Sequence, residues 1–243
     1  MTFDRWLWLI VWQCALAISV GVAVAAEPEP ATVDGLPLVF ADDFEHGADH
    51  WQPTDPEAWK IVEVATSSGS GAGGSSGSGH AYCLFQQSKY KPPHRSPFNF
   101  ALVQDVKVAD FVFDARVLST KPDYNHRDMC LVFGYQDPAH FYYVHLGKKT
   151  DDHANQIFIV NNAPRVKIST KTTPGTNWDD QWHQVRIVRK TESGSIDVYF
   201  DDLDKPVMHA LDKTFLWGQV GVGSFDDIGD WDDVRLYGTI AKP

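Results

Sequence analysis

Between His126 and Gly147 the chain reads HRDMCLVFGYQDPAHFYYVHLG, and three residue types in it can move protons: the carboxylate Asp128, the phenol Tyr143 and the imidazole His145. A carboxylate beside an imidazole or a phenol is the equipment of general acid–base chemistry. These three are therefore the catalytic candidates. A second set follows in QIFIVNNAPRVKIST, where Gln156, Phe158, Arg165 and Lys167 offer an amide, a ring and two cations. Such groups stack on a polar ligand, hydrogen-bond to it and neutralise a carboxylate on it. Arg95 in the loop QQSKYKPPHRSP, together with His126 and Arg127, completes the ligand-binding candidates. The run TDDHAN gathers Asp151, Asp152 and His153, but neighbours on a strand point to opposite faces, so it is a poor transition-metal site.

Whether these groups meet depends on the elements that carry them. Pro138 presets φ for a turn and Asp137 can cap it, so Gln136–Ala139 reads as a four-residue hairpin connection. Pairing backwards sets Tyr135 opposite His140, Phe133 opposite Tyr142, Leu131 opposite Val144 and Met129 opposite Leu146. Alternation along a strand makes that an apolar core face. The other face then holds Gly134 with Phe141, Val132 with Tyr143, Cys130 with His145, and Asp128 near Gly147. A one-residue slip would bury the acid and the imidazole against core residues, which favours this register. Around Asn162-Ala163, Ile159 with Val166 and Ile157 with Ile168 form a core face. Val160 with Arg165, Phe158 with Lys167 and Gln156 with Ser169 form the opposite one. Two such hairpins side by side predict an open groove with a Phe–Tyr–His row. The alternative is the ordinary solvated face of an antiparallel sheet.

The rest of the chain bounds what this unit can be. Residues 1–26 read as a secretory signal peptide: an apolar run from Trp6 to Val24, then small residues before EPEP. An uncleaved anchor is the alternative, and cleavage predicts a secreted or periplasmic protein with no membrane attachment. The formal net charge of −11 argues against nucleic acid and anionic membrane surfaces as partners. Cys83 and Cys130 remain after the leader, either as a disulfide or as two buried thiols. After a short tail at 27–37, residues 38–243 show short β-rich runs between turns and no convincing helical period, predicting one all-β domain. The Gly/Ser stretch 67–79 reads as a long mobile loop within it. Trp59, Trp182 and Trp231 read as core anchors, and Trp51, Trp178 and Trp217, nearer turns, as possible sugar platforms.

Three segments in order, FADDFEHGADHW, WHQVRIVRK…SGSIDVYFDD and GQVGVGSF…WDDVRLYG, resemble the concanavalin A-like, laminin-G-like jelly roll. The resemblance runs from about Leu38 to Gly238, and is closest to exported bacterial 3-keto-disaccharide hydrolase-type and glycan-binding jelly rolls. It implies a sandwich of two antiparallel sheets, with the first and last strands adjacent and a saccharide on the concave face. It also implies a structural calcium: WDDVRLY is similar to the final strand of jelly-roll glucanases, placing Asp232 as a ligand, with Asp43 of ADDFE beside it. An acidic edge that discourages sheet aggregation is the equal alternative. The paired-carboxylate strand of those glucanases and the ordered motifs of jelly-roll alginate lyases are both absent from the sequence. The expectation is thus an exported carbohydrate-binding protein. The alternatives are a glycan-cleaving hydrolase or lyase using His145 with Asp128 or Tyr143, and an adhesive domain that contacts protein.

Overall fold

A computed structural model describes residues 30–67 and 76–241. In chain order its strands are β1 (Thr32–Val33), β2 (Leu36–Asp42), β3 (Trp51–Pro53), β4 (Trp59–Ser67), β5 (Ser76–Leu84), β6 (Asn99–Val103), β7 (Val108–Ser119), β8 (Asp128–Asp137) and β9 (His140–Gly147). They continue as β10 (Gln156–Asn161), β11 (Val166–Lys167), β12 (Ser169–Thr172), β13 (His183–Lys190), β14 (Ser195–Phe200), β15 (Met208–Leu211), β16 (Gln219–Ser224) and β17 (Gly229–Ile240). They form two antiparallel sheets. One runs β11-β10-β9-β8-β16-β6-β3, and the other β1-β2-β17-β7-β13-β14-β15-β12, with β4 and β5 joined to it through β17. β2 lies beside β17, with Asp42 opposite Val234, so the first and last long strands are neighbours as expected. The leader lies outside the described residues. Of the Gly/Ser stretch, Ser67 and Ser76–Gly79 are strand rather than loop, because the β4–β5 ladder extends to the pair Ser67–Ser76.

The main core lies between the sheets. Met129, Leu131, Phe133, Tyr142, Val144, Leu146 and Ile157 of the seven-stranded sheet meet Phe111, Phe113, Val185, Ile187 and Trp231 of the other. These are the core-face residues read from alternation, and the register Met129–Leu146, Leu131–Val144, Phe133–Tyr142 is as predicted. Trp51 and Trp178 also belong to this core rather than to sugar platforms, with their indole N–H groups donating to Asp42 Oδ2 at 2.9 Å and Leu146 O at 2.7 Å. Cys83 and Cys130 are free thiols on different sheets.

Near the turn the predicted register fails. Asp137 pairs with His140, leaving Gly134, Tyr135 and Gln136 opposite Phe141 alone. This bulge starts at Gly134, whose φ of +58° is a left-handed conformation that favours glycine. The extra residues flip Tyr135 off the core face, and its ring packs on Phe100 and Phe141 at 5.9 and 5.6 Å on the other side. Gly218 makes room for the bulge, since a Cβ there would lie 2.2 Å from Gly134 C and 2.4 Å from Tyr135 N. Gly218→Ala should therefore cost about 2–3 kcal/mol through overpacking against backbone that cannot give way. Urea unfolding of the purified variant measures this, and an unchanged midpoint would show that the bulge is soft.

Candidate functional site

The polar rows predicted for the outer face of the seven-stranded sheet form as expected. β8–β9 pairing sets Cys130 opposite His145 and Val132 opposite Tyr143, and β9–β10 pairing adds Gln156 to the first row and Phe158 to the second. Phe158 and Tyr143 stack at 5.1 Å between centroids. Yet the face is not an open groove. Tyr143 and Asp128 are fully buried, Phe158 is 1% exposed, and His145 and Gln156 are each 4% exposed. With Phe100, Leu102, Cys130, Val132, Phe141 and Val160 the two rings make a second apolar cluster on this face, and Phe225 and Tyr135 pack against it.

The cover comes from loops. Arg165 lies over the rows, its guanidinium 4.6 Å from the Phe158 centroid and 4.3 Å from the Phe225 centroid. It donates to Tyr143 Oη at 2.6 Å and to His153 O at 3.0 Å, so an aromatic sandwich and two hydrogen bonds fix one planar cation. The loop carrying Arg95 crosses the same face and is tied to it where Arg165 N donates to Arg95 O at 3.1 Å. Its exit is held by the buried Asn99, which accepts from Ser88 N at 2.5 Å and donates to Phe225 O at 3.2 Å.

The proton-moving trio lies under this cover. Asp128 Oδ2 accepts from Phe225 N at 2.9 Å, Ser224 Oγ at 3.2 Å and Cys130 Sγ at 3.3 Å. Burial pushes the Asp128 carboxyl up to about 7, with the charges of Asp227 and Asp226 adding to the rise against the Phe225 N–H. Burial takes His145 down to about 3, helped by the charge of Arg165. His145 Nε2 stands 3.7 Å from Asp128 Oδ2, but at neutral pH the ring is uncharged and the contact is not an ion pair. Tyr143 is likewise held protonated by burial, against the pull of Arg165.

The remaining predicted residues separate. His126 is at the rim, its Nε2 3.3 Å from Asp151 Oδ2. Arg95 is exposed on the crossing loop with its guanidinium 6.0 Å from the Phe225 centroid, and Lys167 is engaged with Asp152 at 2.7 Å. Gln156 donates to Asp151 O at 2.9 Å beneath the surface. Arg127 is not a ligand-binding residue of this face: it is 2% exposed and spends its donors on Ser119 Oγ and O, Asp179 O and Asp180. Phe225, Asp226, Asp227, Tyr124 and Lys121 border the site and were missed. The signal available for them is the pair Asp226-Asp227 directly after the Gly-x-Gly strand β16, which pairs with β8 and so brings those acids to Asp128.

The fold has counterparts among solved structures. The carbohydrate-binding module CBM66 from Bacillus subtilis superposes at a TM-score of 0.50, with 16% identity over 78% of this chain and 96% of that one. The fold is a concanavalin A-like jelly roll. Domain 4 of AbnA, a GH43 extracellular arabinanase from Geobacillus stearothermophilus solved with arabinotriose, matches the jelly roll at a TM-score of 0.50, with 12% identity over 86% of this chain and 95% of that one. At these identities the likeness is one of fold. No protein-family model matches the sequence, and no curated protein does.

Of the two calcium candidates, Asp43 directly follows β2 and Asp232 lies in β17, the neighbouring strand of the sheet. Asp43 is exposed, Asp232 is 3.8 Å from the Arg116 guanidinium, and among the described residues the pair belongs to no group of three acidic, His or Cys ligands close enough to share an ion. Burial and the adjacent Asp233 push the Asp232 carboxyl up to about 6, against the pull of Arg116.

The His145–Asp128 pair has a consequence for stability. Folded, its one proton sits on Asp128 up to about pH 7; unfolded, it sits on His145 up to about 6.5 and on Asp128 only below about 3.8. Between about pH 4 and 6.5 both states hold one proton, so the pair adds no slope. His145→Asn leaves only Asp128, which binds more proton folded than unfolded in that window. The variant should lose stability, relative to the parent, by up to roughly 1.4 kcal/mol per unit of rising pH. Parallel slopes in urea unfolding across the window would sink this account.

Proposed function

We propose that this protein is an exported carbohydrate-binding jelly roll that holds a glycan against the covered outer face of its seven-stranded sheet. The observation that carries this reading is the fixed Arg165, clamped between Phe158 and Phe225 and bonded to the buried Tyr143. A sugar offers hydroxyls to a planar donor and an apolar ring face to an aromatic, and a side chain already locked in place loses little entropy on binding. Arg95, His126 and Tyr135 extend this polar and aromatic surface on the same side. The neighbouring folds support the reading at a coarse level, being a carbohydrate-binding module and an arabinanase domain holding arabinotriose. The leader sequence supports export to the periplasm or beyond. Turnover is the weaker reading, because His145, Asp128 and Tyr143 are buried beneath Arg165 and Phe225, out of reach of a scissile bond.

The test is titration of the protein with a panel of neutral and uronate-containing glycans, with reducing ends and unsaturated products followed in the same samples. Saturable binding without product is expected, and Arg165→Ala and Phe225→Ala should each weaken it at least about tenfold, or roughly 1.4 kcal/mol. Binding indifferent to both substitutions, no binding across the panel, or formation of new ends would each overturn the reading.

A further inference from the structure

At the end of the covered face where β8 begins, three carboxylates converge from two segments of the chain. Asp128 opens β8, and Asp226 and Asp227 follow β16; one ligand atom from each lies within 4.8 Å of the others. Asp128 and Asp227 are both 0% exposed, and Asp226 lies at the solvent edge. Three acids gathered in this way are repelled by one another, and one oxygen is conspicuous. Asp128 Oδ1 is buried and has no hydrogen-bond partner, although Oδ2 of the same carboxyl accepts three. A buried carboxylate oxygen without a donor is costly unless something else satisfies it.

The surroundings are built to hold positive charge. Asp227 Oδ1 accepts from Tyr124 Oη at 2.8 Å and lies 3.4 Å from the Lys121 ammonium, while Asp227 Oδ2 accepts from Asp128 N at 2.9 Å. Among the described residues Lys121 is the one Lys or Arg paired with the trio, so negative charge remains in excess. The half-exposed Lys121 and Asp226 leave a path to solvent.

We propose that Asp128, Asp226 and Asp227 bind one hard divalent cation, calcium in preference to magnesium, with Asp128 Oδ1 as the buried ligand and Lys121 as a competing charge. All the ligand atoms are carboxylate oxygens, the donors such ions select. Calcium accepts irregular sets of several protein oxygens, whereas magnesium demands a near-ideal octahedron, keeps several of its waters and is bound through only one or two carboxylates. Water entering beside Asp226 completes the shell.

A softer alternative uses Asp128, Cys130 and His145, whose ligand atoms also lie close together. It is disfavoured by the imidazole. Asn155 N donates to His145 Nδ1 at 3.4 Å, so the neutral ring carries its proton on Nε2, the nitrogen facing Asp128, and has no lone pair there for a metal. The Cys130 thiol is itself spent as a donor to Asp128 Oδ2.

This site does not depend on the glycan reading and is tested without a sugar. The purified protein, stripped with EDTA, is titrated calorimetrically with calcium, magnesium, manganese and zinc, and its thermal midpoint is followed in parallel. One calcium per chain is expected, bound at least about tenfold more tightly than magnesium, with a rise in the midpoint that saturates with binding. Asp226→Asn, at the solvent edge where folding is least at risk, should weaken calcium at least about tenfold. Lys121→Ala should strengthen it, a gain that a damaged fold cannot imitate. No saturable calcium binding, calcium binding unmoved by both substitutions, binding abolished instead by Asp43→Asn, or zinc preference lost in Cys130→Ala would each overturn the assignment.

Discussion

An apolar sheet face in water has to be covered, and most of what distinguishes this jelly roll follows from how its seven-stranded sheet meets that requirement. β8, β9 and β10 are apolar on both sides, so the intersheet core satisfies only half of them. Among the described residues no further sheet covers the other half. The chain instead brings in Phe225 from the end of β16, Arg165 from the turn before β11 and the loop that leads into β6. A guanidinium serves here because its flat faces pack on rings while its edge still needs hydrogen bonds. The outermost layer is therefore polar at its edges and aromatic in its planes, and it is held by bonds to buried atoms.

The same burial sets the electrostatics. Asp128, His145, Tyr143 and Cys130 are each pushed toward their neutral forms by the removal of water, and each is then oriented by specific hydrogen bonds. Residues that look like a catalytic group in a string of letters become a set of neutral dipoles supporting the surface above. The charge that is retained gathers at the β8 end, where the acids after β16 meet Asp128.

Much of this was legible in the sequence, and the remainder failed for identifiable reasons. Period-two alternation gave the correct partners for Met129, Leu131 and Phe133, and adjacency of the two hairpins gave the rows Cys130–His145–Gln156 and Val132–Tyr143–Phe158. Alternation is local, and these pairings are local. The bulge at Gly134 was not legible because a left-handed glycine inside a strand has the same letter as any other. Burial of the outer face was not legible because its cover is remote in sequence: Phe225 reaches His145 at 6.0 Å between ring centroids from a different strand connection. Arg127 was misplaced because the residue before a strand need not follow the strand's alternation, and its side chain turns to Ser119 and Asp179.

The position of β17 carries a consequence for how the molecule is made. It pairs with β2, β5 and β7, joining the beginning of the chain to the middle of the larger sheet, yet every other strand precedes it in sequence. Until β17 has left the ribosome, β2 and β5 have no partner linking them to β7, and the larger sheet cannot be assembled. Folding thus waits for β17 and is dominated by contacts between distant parts of the chain, which makes it slow. Until β17 emerges, such a chain stays open and threadable, a string of strands awaiting the one that joins them.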